Sequence, residues 1–196
     1  EQNRGNHGEK RLEVEAFRYI VSHHANEWKE FLCTKPTAPV RQQDKWVKPP
    51  TDMVKINIDA AFAEQTRSGG WGIICRDDIQ DVCFAAAGAR LDLNSALHAE
   101  TIALFEAVML ADRLGVGRVI FETDCLVLQQ AMNSNVYAFL PLGVLFSEIG
   151  FKLRTLFIEA QVVFVPRLCN GPAHVLASIG ACLTVGEHRE WFTSYP

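Results

Sequence analysis

Three acidic residues, Asp59, Glu100 and Asp124, stand where side chains far apart along the chain can share one chemistry. Asp59 lies in VKINIDAAF (residues 54–62), whose apolar and polar residues alternate with the period of a strand buried on one face. Asp124 closes the apolar run of VIFETD, and Glu100 stands in the first turns of ALHAETIALFEAV. Its neighbours Leu97, Thr101 and Leu104 follow one another at four- and three-residue spacing, so the face of Glu100 is largely the one turned to a sheet. An ionised carboxylate in an apolar strand is costly unless a positive charge offsets it. Three that converge repel one another and require cations; hard oxygen ligands with open positions suit Mg2+ or Mn2+. A pair of such ions positions water and stabilises the attacking and leaving oxygens of a phosphoryl displacement. The plainer alternative for Asp59 is a strand-end residue that bonds nearby amides and starts a turn.

The elements that must bring these acids together are readable. Strands are expected over 54–62, 71–76 and 82–90, joined by turns at 68–70 and 77–81 into an antiparallel meander. Ser95 reads as the N-cap of a helix over 96–114 that Gly115 ends. A strand at 116–123, a helix to about Asn133 and a helix over 140–156 with Pro141 at its start follow. A strand at 159–165 and a helix at 171–183 complete the order. This order predicts an α/β fold, a mixed five-stranded sheet flanked by helices. Its strands starting at Val54, Val116 and Glu159 run parallel and end near one crevice, the usual place for a site in such sheets.

Bulk properties narrow the classes. The 196 residues suit one domain plus an extension, and 48% hydrophobic with 21% charged residues is a soluble globular composition. No apolar run approaches the roughly 20 residues that cross a bilayer, so no membrane partner is expected, and the opening residues do not read as a signal peptide. A net charge of −4 argues against a strongly basic nucleic-acid binder, yet allows an enzyme that grips nucleic acid through metal ions and a local patch. The six cysteines form no CxxC pair, which reads as reduced thiols in an intracellular, nuclear or cytoplasmic protein. Residues 1–33 form an extension in which Leu12, Phe17, Ile20, Val21, Trp28 and Phe31 recur at helical spacing over 10–33. Residues 34–45 are a proline-containing linker, 46–183 the domain, and 184–196 a tail with Trp191, Phe192 and Tyr195. The amphipathic helix either packs on its own chain or meets a partner, and the aromatic tail either folds back on the surface or docks a protein partner.

The segments WVKPP, VKINIDAAF, SGGWGIICRDD, ALHAETIALFEAVMLA, VIFETDCLVL and VVFVPRLCNGPAHVLAS, in this order, closely resemble the ribonuclease H-like domains of plant retrotransposon origin. The resemblance covers about residues 46–183 and implies the ribonuclease H fold. It also implies cleavage of the RNA strand of an RNA–DNA hybrid by two metal ions. Asp59, Glu100 and Asp124 match the family's first three metal-binding acids, and the fourth position falls at His174 in NGPAHVLA. Imidazole is a neutral, softer ligand, poor for Mg2+ and acceptable for Mn2+. The alternative for His174 is a helix-surface or capping residue with no metal contact. Where some ribonucleases H carry a catalytic histidine, this chain has Pro166, Arg167 and Leu168. Arg167 and Asn170 are the candidate nucleic-acid contacts, and Arg167 alternatively pairs with an acid. Gln80 stands where the family's turn usually has glycine, and the basic protrusion that helps some members grip hybrids is not evident.

Weaker candidates are His98 at the cleft rim, Glu106 rotated away from Glu100, and Trp71, which suits packing better than base stacking. Lys55, Arg67, Arg76 and Arg90 read as a solvated surface before phosphate contacts. Two functions compete: a metal-dependent nuclease acting on RNA–DNA hybrids, and a non-catalytic module that binds protein or nucleic acid.

Overall fold

The computed structural model describes residues 45–134 and 141–193. The helix expected over 10–33, the linker to residue 44 and Tyr195 lie outside the described residues. β1 (Val54–Ala63), β2 (Ser68–Arg76) and β3 (Val82–Arg90) form the expected meander. They are followed by α1 (Ala96–Arg113), β4 (Arg118–Thr123), α2 (Leu126–Asn133), α3 (Gly143–Leu156) and β5 (Glu159–Phe164). A 3-10 turn (Arg167–Cys169) leads into α4 (Gly171–Ala181), and β6 (His188–Phe192) is last. The sheet order is β5-β4-β1-β2-β3-β6, with β4 parallel to both β1 and β5.

The sheet has six strands, not five. β6 comes from the tail and pairs antiparallel with β3, from Phe84↔Phe192 to Gly88↔His188. Trp191 and Phe192 point to opposite faces, Trp191 beside Leu176 and Phe192 beside the larger core. The charged residues of His188–Phe192 suit an edge strand, which is half solvated, and that hid the strand pattern.

One sheet face packs Ile56, Ile58, Ile73, Val119 and Phe121 against Ala103, Leu104, Ala107, Val108 and Ala111 of α1. Each fully buried side chain the size of isoleucine contributes about 1.5–3 kcal/mol. Ser95 caps α1, its hydroxyl accepting from His98 N at 3.1 Å, and Gly115 follows the helix at φ 72°. The other face packs Ile74, Ala85 and Ala87 against Ala173 and Leu176 of α4. Among the described residues no helix is long and apolar enough to cross a membrane.

Residues 68–70 are strand, not turn. The chain reverses at 64–67, where Arg67 takes φ 50° and its N–H donates to Glu64 O at 3.3 Å. Gly70 is glycine because α4 lies on it: a Cβ there would stand 2.0 Å from Ala181 N. In the 77–81 turn Gln80 adopts φ 74°, while Asp77 Oδ1 accepts from Ile79 N at 3.0 Å and Asp81 N at 2.8 Å. Those two bonds offset the strain of a non-glycine residue in that region.

Candidate functional site

Strand register assembles the site. β1 and β4 run parallel with Asn57 opposite Glu122, so residues two further on, Asp59 and Asp124, stand side by side on one face. On the other side of Asp59 the facing β2 residue is Gly72. Its lack of a side chain lets α4 approach, because a Cβ there would lie 2.2 Å from Ala177 N and 2.5 Å from Ala173 O. Glu100 arrives from α1, and one oxygen from each of Asp59, Glu100 and Asp124 lies within 4.8 Å of the others.

The electrostatics of this group are unfavourable by themselves. Burial, then the charges of Asp59 and Asp124, hold the Glu100 carboxyl well above the ordinary range. Burial and the Asp59 charge raise Asp124 as well, against a lowering hydrogen bond from Asn170. Glu100 Oε2 is buried and has no hydrogen-bond partner among the described residues. An orphaned carboxylate oxygen among mutually repelling acids is the donor set that a hard divalent cation relieves, so the residues present fit Mg2+ or Mn2+.

His174, in the first turn of α4, is outside the three-oxygen group and touches one member of it. Its Nδ1 lies 2.8 Å from Asp59 Oδ2. Arg167 Nη2 lies 3.4 Å from both nitrogens of that ring, and Arg167 Nη1 lies 4.0 Å from Asp124 Oδ2. Asn170 is fully buried, which corrects its reading as a direct nucleic-acid contact. Its amide nitrogen donates to Ile58 O at 2.8 Å and to Asp124 Oδ1 at 3.1 Å. His98 Nδ1 accepts from Asn94 N at 3.2 Å at the start of α1, Glu106 lies 4.0 Å from Arg90, and Trp71 packs under Gly88.

Sequence reasoning missed a polar group beside the acids, buried at Asn57 and Glu122 and half-buried at Lys55 and Arg76, and covered by Trp46. Lys55 and Arg76, which the sequence reads as solvated surface, are instead paired with Glu122 and Asn57. The available signal was Glu122, a second acid inside an apolar strand, two residues from Asp124 and facing the same way.

A family model described as reverse transcriptase-like matches residues 57–180, which contain all three acids and His174. The chain belongs to the reverse transcriptase-like family. Solved structures add the fold. This reverse transcriptase-like domain superimposes on the N-terminal RNase H domain of rv2228c from Mycobacterium tuberculosis with a TM-score of 0.58 and 20% identity. That match covers 66% of this chain and 93% of that one. It superimposes on LC11-RNase H1, isolated from compost by a metagenomic approach, with a TM-score of 0.60 and 19% identity over 67% and 96% of the two chains. The same protein in complex with an RNA/DNA hybrid gives 0.54 and 19% over 65% and 96%. At these identities the reverse transcriptase-like domain shares the ribonuclease H fold with them. A search of curated proteins finds no match.

Proposed function

We propose that this domain is a divalent-metal-dependent endonuclease that hydrolyses the RNA strand of RNA–DNA hybrids. The observation that carries the reading is the meeting of Asp59, Glu100 and Asp124 within 4.8 Å around a buried, unpartnered oxygen of Glu100. Asp59, Glu100 and Asp124 would hold Mg2+ or Mn2+, which when bound supplies an activated water and stabilises charge on the phosphoryl oxygens. The protein's share is placement. The central strand fixes Asp59, α1 carries Glu100 from the other layer, and His174 takes one oxygen of Asp59. Arg167, with a side chain 64% exposed beside Asp124, presents a guanidinium that suits a backbone phosphate. Recognition of a hybrid by shape and 2′-hydroxyls, without base readout, suits a site of this kind. The hybrid-bound LC11-RNase H1 supports that substrate class.

A second reading, a non-catalytic module that binds nucleic acid or protein, is favoured by one observation. His174 on Asp59 and Arg167 beside Asp124 partly offset two of the acids without an added ion. A labelled RNA–DNA hybrid incubated with the protein in Mg2+ and in Mn2+, with Asp59→Asn as control, separates the two. Cleavage by the unsubstituted protein alone, faster in Mn2+, is expected. No cleavage in either ion overturns the nuclease reading and leaves the binding module.

A further inference from the structure

On the strands that carry the acids, Asn57 stands two residues before Asp59 and Glu122 two residues before Asp124, both buried. Asn57 Nδ2 donates to Glu122 Oε2 at 2.9 Å and to Asn170 Oδ1 at 3.1 Å, while Asn57 Oδ1 accepts from Arg76 Nη2 at 2.5 Å. Glu122 is held further by Lys55 Nζ at 2.7 Å and by the indole N–H of Trp46 at 2.8 Å. The Arg76 guanidinium stacks on the Trp46 ring, 3.5 Å from its centre. Burial lowers Arg76 to about 10, so it remains a cation at neutral pH.

Donor and acceptor types fix the direction of this chain of bonds. A guanidinium only donates and a carboxylate only accepts, so Arg76 and Glu122 admit one orientation of the Asn57 amide. Its NH2 then faces Asn170, which must turn its oxygen toward Asn57 and its own NH2 toward Asp124. Reversing either amide sets like groups against each other in a buried region, where an unmade hydrogen bond costs most.

We propose that Asn57 and Asn170 are positioning residues whose orientation, set by Glu122, Arg76 and Trp46, holds Asp124 Oδ1 in a hydrogen bond and leaves Oδ2 for the cation. This rests on the metal site of the proposed function and adds Trp46, ahead of β1, to the unit that shapes it. A network that served packing alone would change stability without changing the metal site.

Three measurements test the relay on the full chain. NMR follows hydrogen exchange of the Asn170 side-chain amide, electron paramagnetic resonance follows Mn2+ binding, and cleavage of the hybrid gives kcat and KM. Trp46→Phe keeps the ring over Arg76 and removes one donor to Glu122, so Asn170 should exchange about two- to tenfold faster, the range of one hydrogen bond. Asn57→Ser should weaken Mn2+ binding about 10- to 100-fold and lower kcat with KM unchanged, the size of effect seen for groups that orient metal ligands. Unchanged Asn170 exchange in Trp46→Phe overturns the relay whether or not Asn57→Ser folds. Faster exchange with unchanged Mn2+ affinity in both variants reduces the network to packing and equally overturns it. If the unsubstituted protein neither binds Mn2+ nor cleaves, the nuclease reading fails, and Asn170 exchange alone judges the coupling.

Discussion

His174 Nδ1 and Asp59 Oδ2 are 2.8 Å apart, the distance of a direct hydrogen bond. The imidazole thus puts a ring nitrogen against Asp59 at the position where the resemblance to ribonucleases H puts a fourth acid. Exchanging the ring for a carboxylate adds a negative charge to a group already short of cations. A unit charge about 4 Å from an ion is worth roughly 1 kcal/mol in water and roughly 4 kcal/mol near a protein surface. His174→Asp is therefore expected to tighten Mg2+ binding at least about fivefold, read by isothermal titration calorimetry, and to raise cleavage in Mg2+ relative to Mn2+. Equal or weaker Mg2+ binding by the variant would count against a cation between these side chains.

Glu100 makes stability depend on pH in a defined direction. Burial and the charges of Asp59 and Asp124 raise its folded-state pKa well above the ordinary value. The folded protein then holds this proton more tightly than the unfolded chain does. Without metal, the contribution is full below the ordinary carboxylate range, about pH 4, and is lost as pH rises through the elevated folded value. A divalent ion that binds only the ionised, folded form restores it. In chelator, thermal melts of Glu100→Gln should lie above those of the unsubstituted protein near pH 8 and approach them near pH 4. Added Mn2+ should stabilise the unsubstituted protein and leave Glu100→Gln where it was. A variant that melts no higher than its parent in chelator near pH 8 removes the electrostatic account.

The approach of α4 to β2 depends on Gly72. A Cβ at that position would sit 2.2 Å from Ala177 N and 2.5 Å from Ala173 O, both backbone atoms that cannot rotate away. Overpacking of this kind costs typically 1–3 kcal/mol. Gly72→Ala is expected near the upper end, about 3 kcal/mol in urea unfolding. Displacement of α4 should also part His174 from Asp59, visible as a changed His174 ring signal in NMR. Gly171→Ala, at the start of the same helix with nothing within 4 Å of the added methyl, is the control and should fall within about 1 kcal/mol of the parent. A loss within about 1 kcal/mol for Gly72→Ala as well would show that close approach of the helix does not govern the position.

Legibility in the sequence follows how local each cause is. The strand at β1, the Ser95 cap and Gly115 are settled within a few residues and the structure has them as read, except that β1 is buried on both faces and not one, Asn57 and Asp59 as well as Ile56 and Ile58. Asp59, Glu100 and Asp124 were placed together from their elements and do meet. Gly69 and Gly70 misled because a glycine that admits a neighbouring backbone looks in sequence like one that turns the chain. Their added methyls would lie 1.9 Å from Ala61 O and 2.0 Å from Ala181 N, contacts made by distant residues. Asn170 misled for a related reason: a polar residue before a proline-containing helix start reads as surface, and only the fold buries it. Lys55 and Arg76 were expected in solvent because charged side chains are rarely buried unless paired, and their partners Glu122 and Asn57 lie on other elements or facing positions.

Arg167 separates a stabilising role from a binding role by magnitude. Its Nη1 stands 4.0 Å from Asp124 Oδ2 with the side chain 64% exposed. A pair of that length whose cation stands in solvent contributes about 0–1 kcal/mol. Arg167→Ala should accordingly unfold within about 1 kcal/mol of the parent. A phosphate contact has a different signature: each one lost lowers the slope of log affinity against log salt by roughly 0.7–0.9 and weakens binding at low salt most. The variant is expected to raise KM for the hybrid about tenfold at low salt and to lose part of its salt dependence. Arg167→Lys should recover only part of the effect, because an ammonium lacks the planar fork that meets two phosphate oxygens. Unchanged KM with an unchanged salt slope would assign Arg167 to the His174 ring and Asp124 alone.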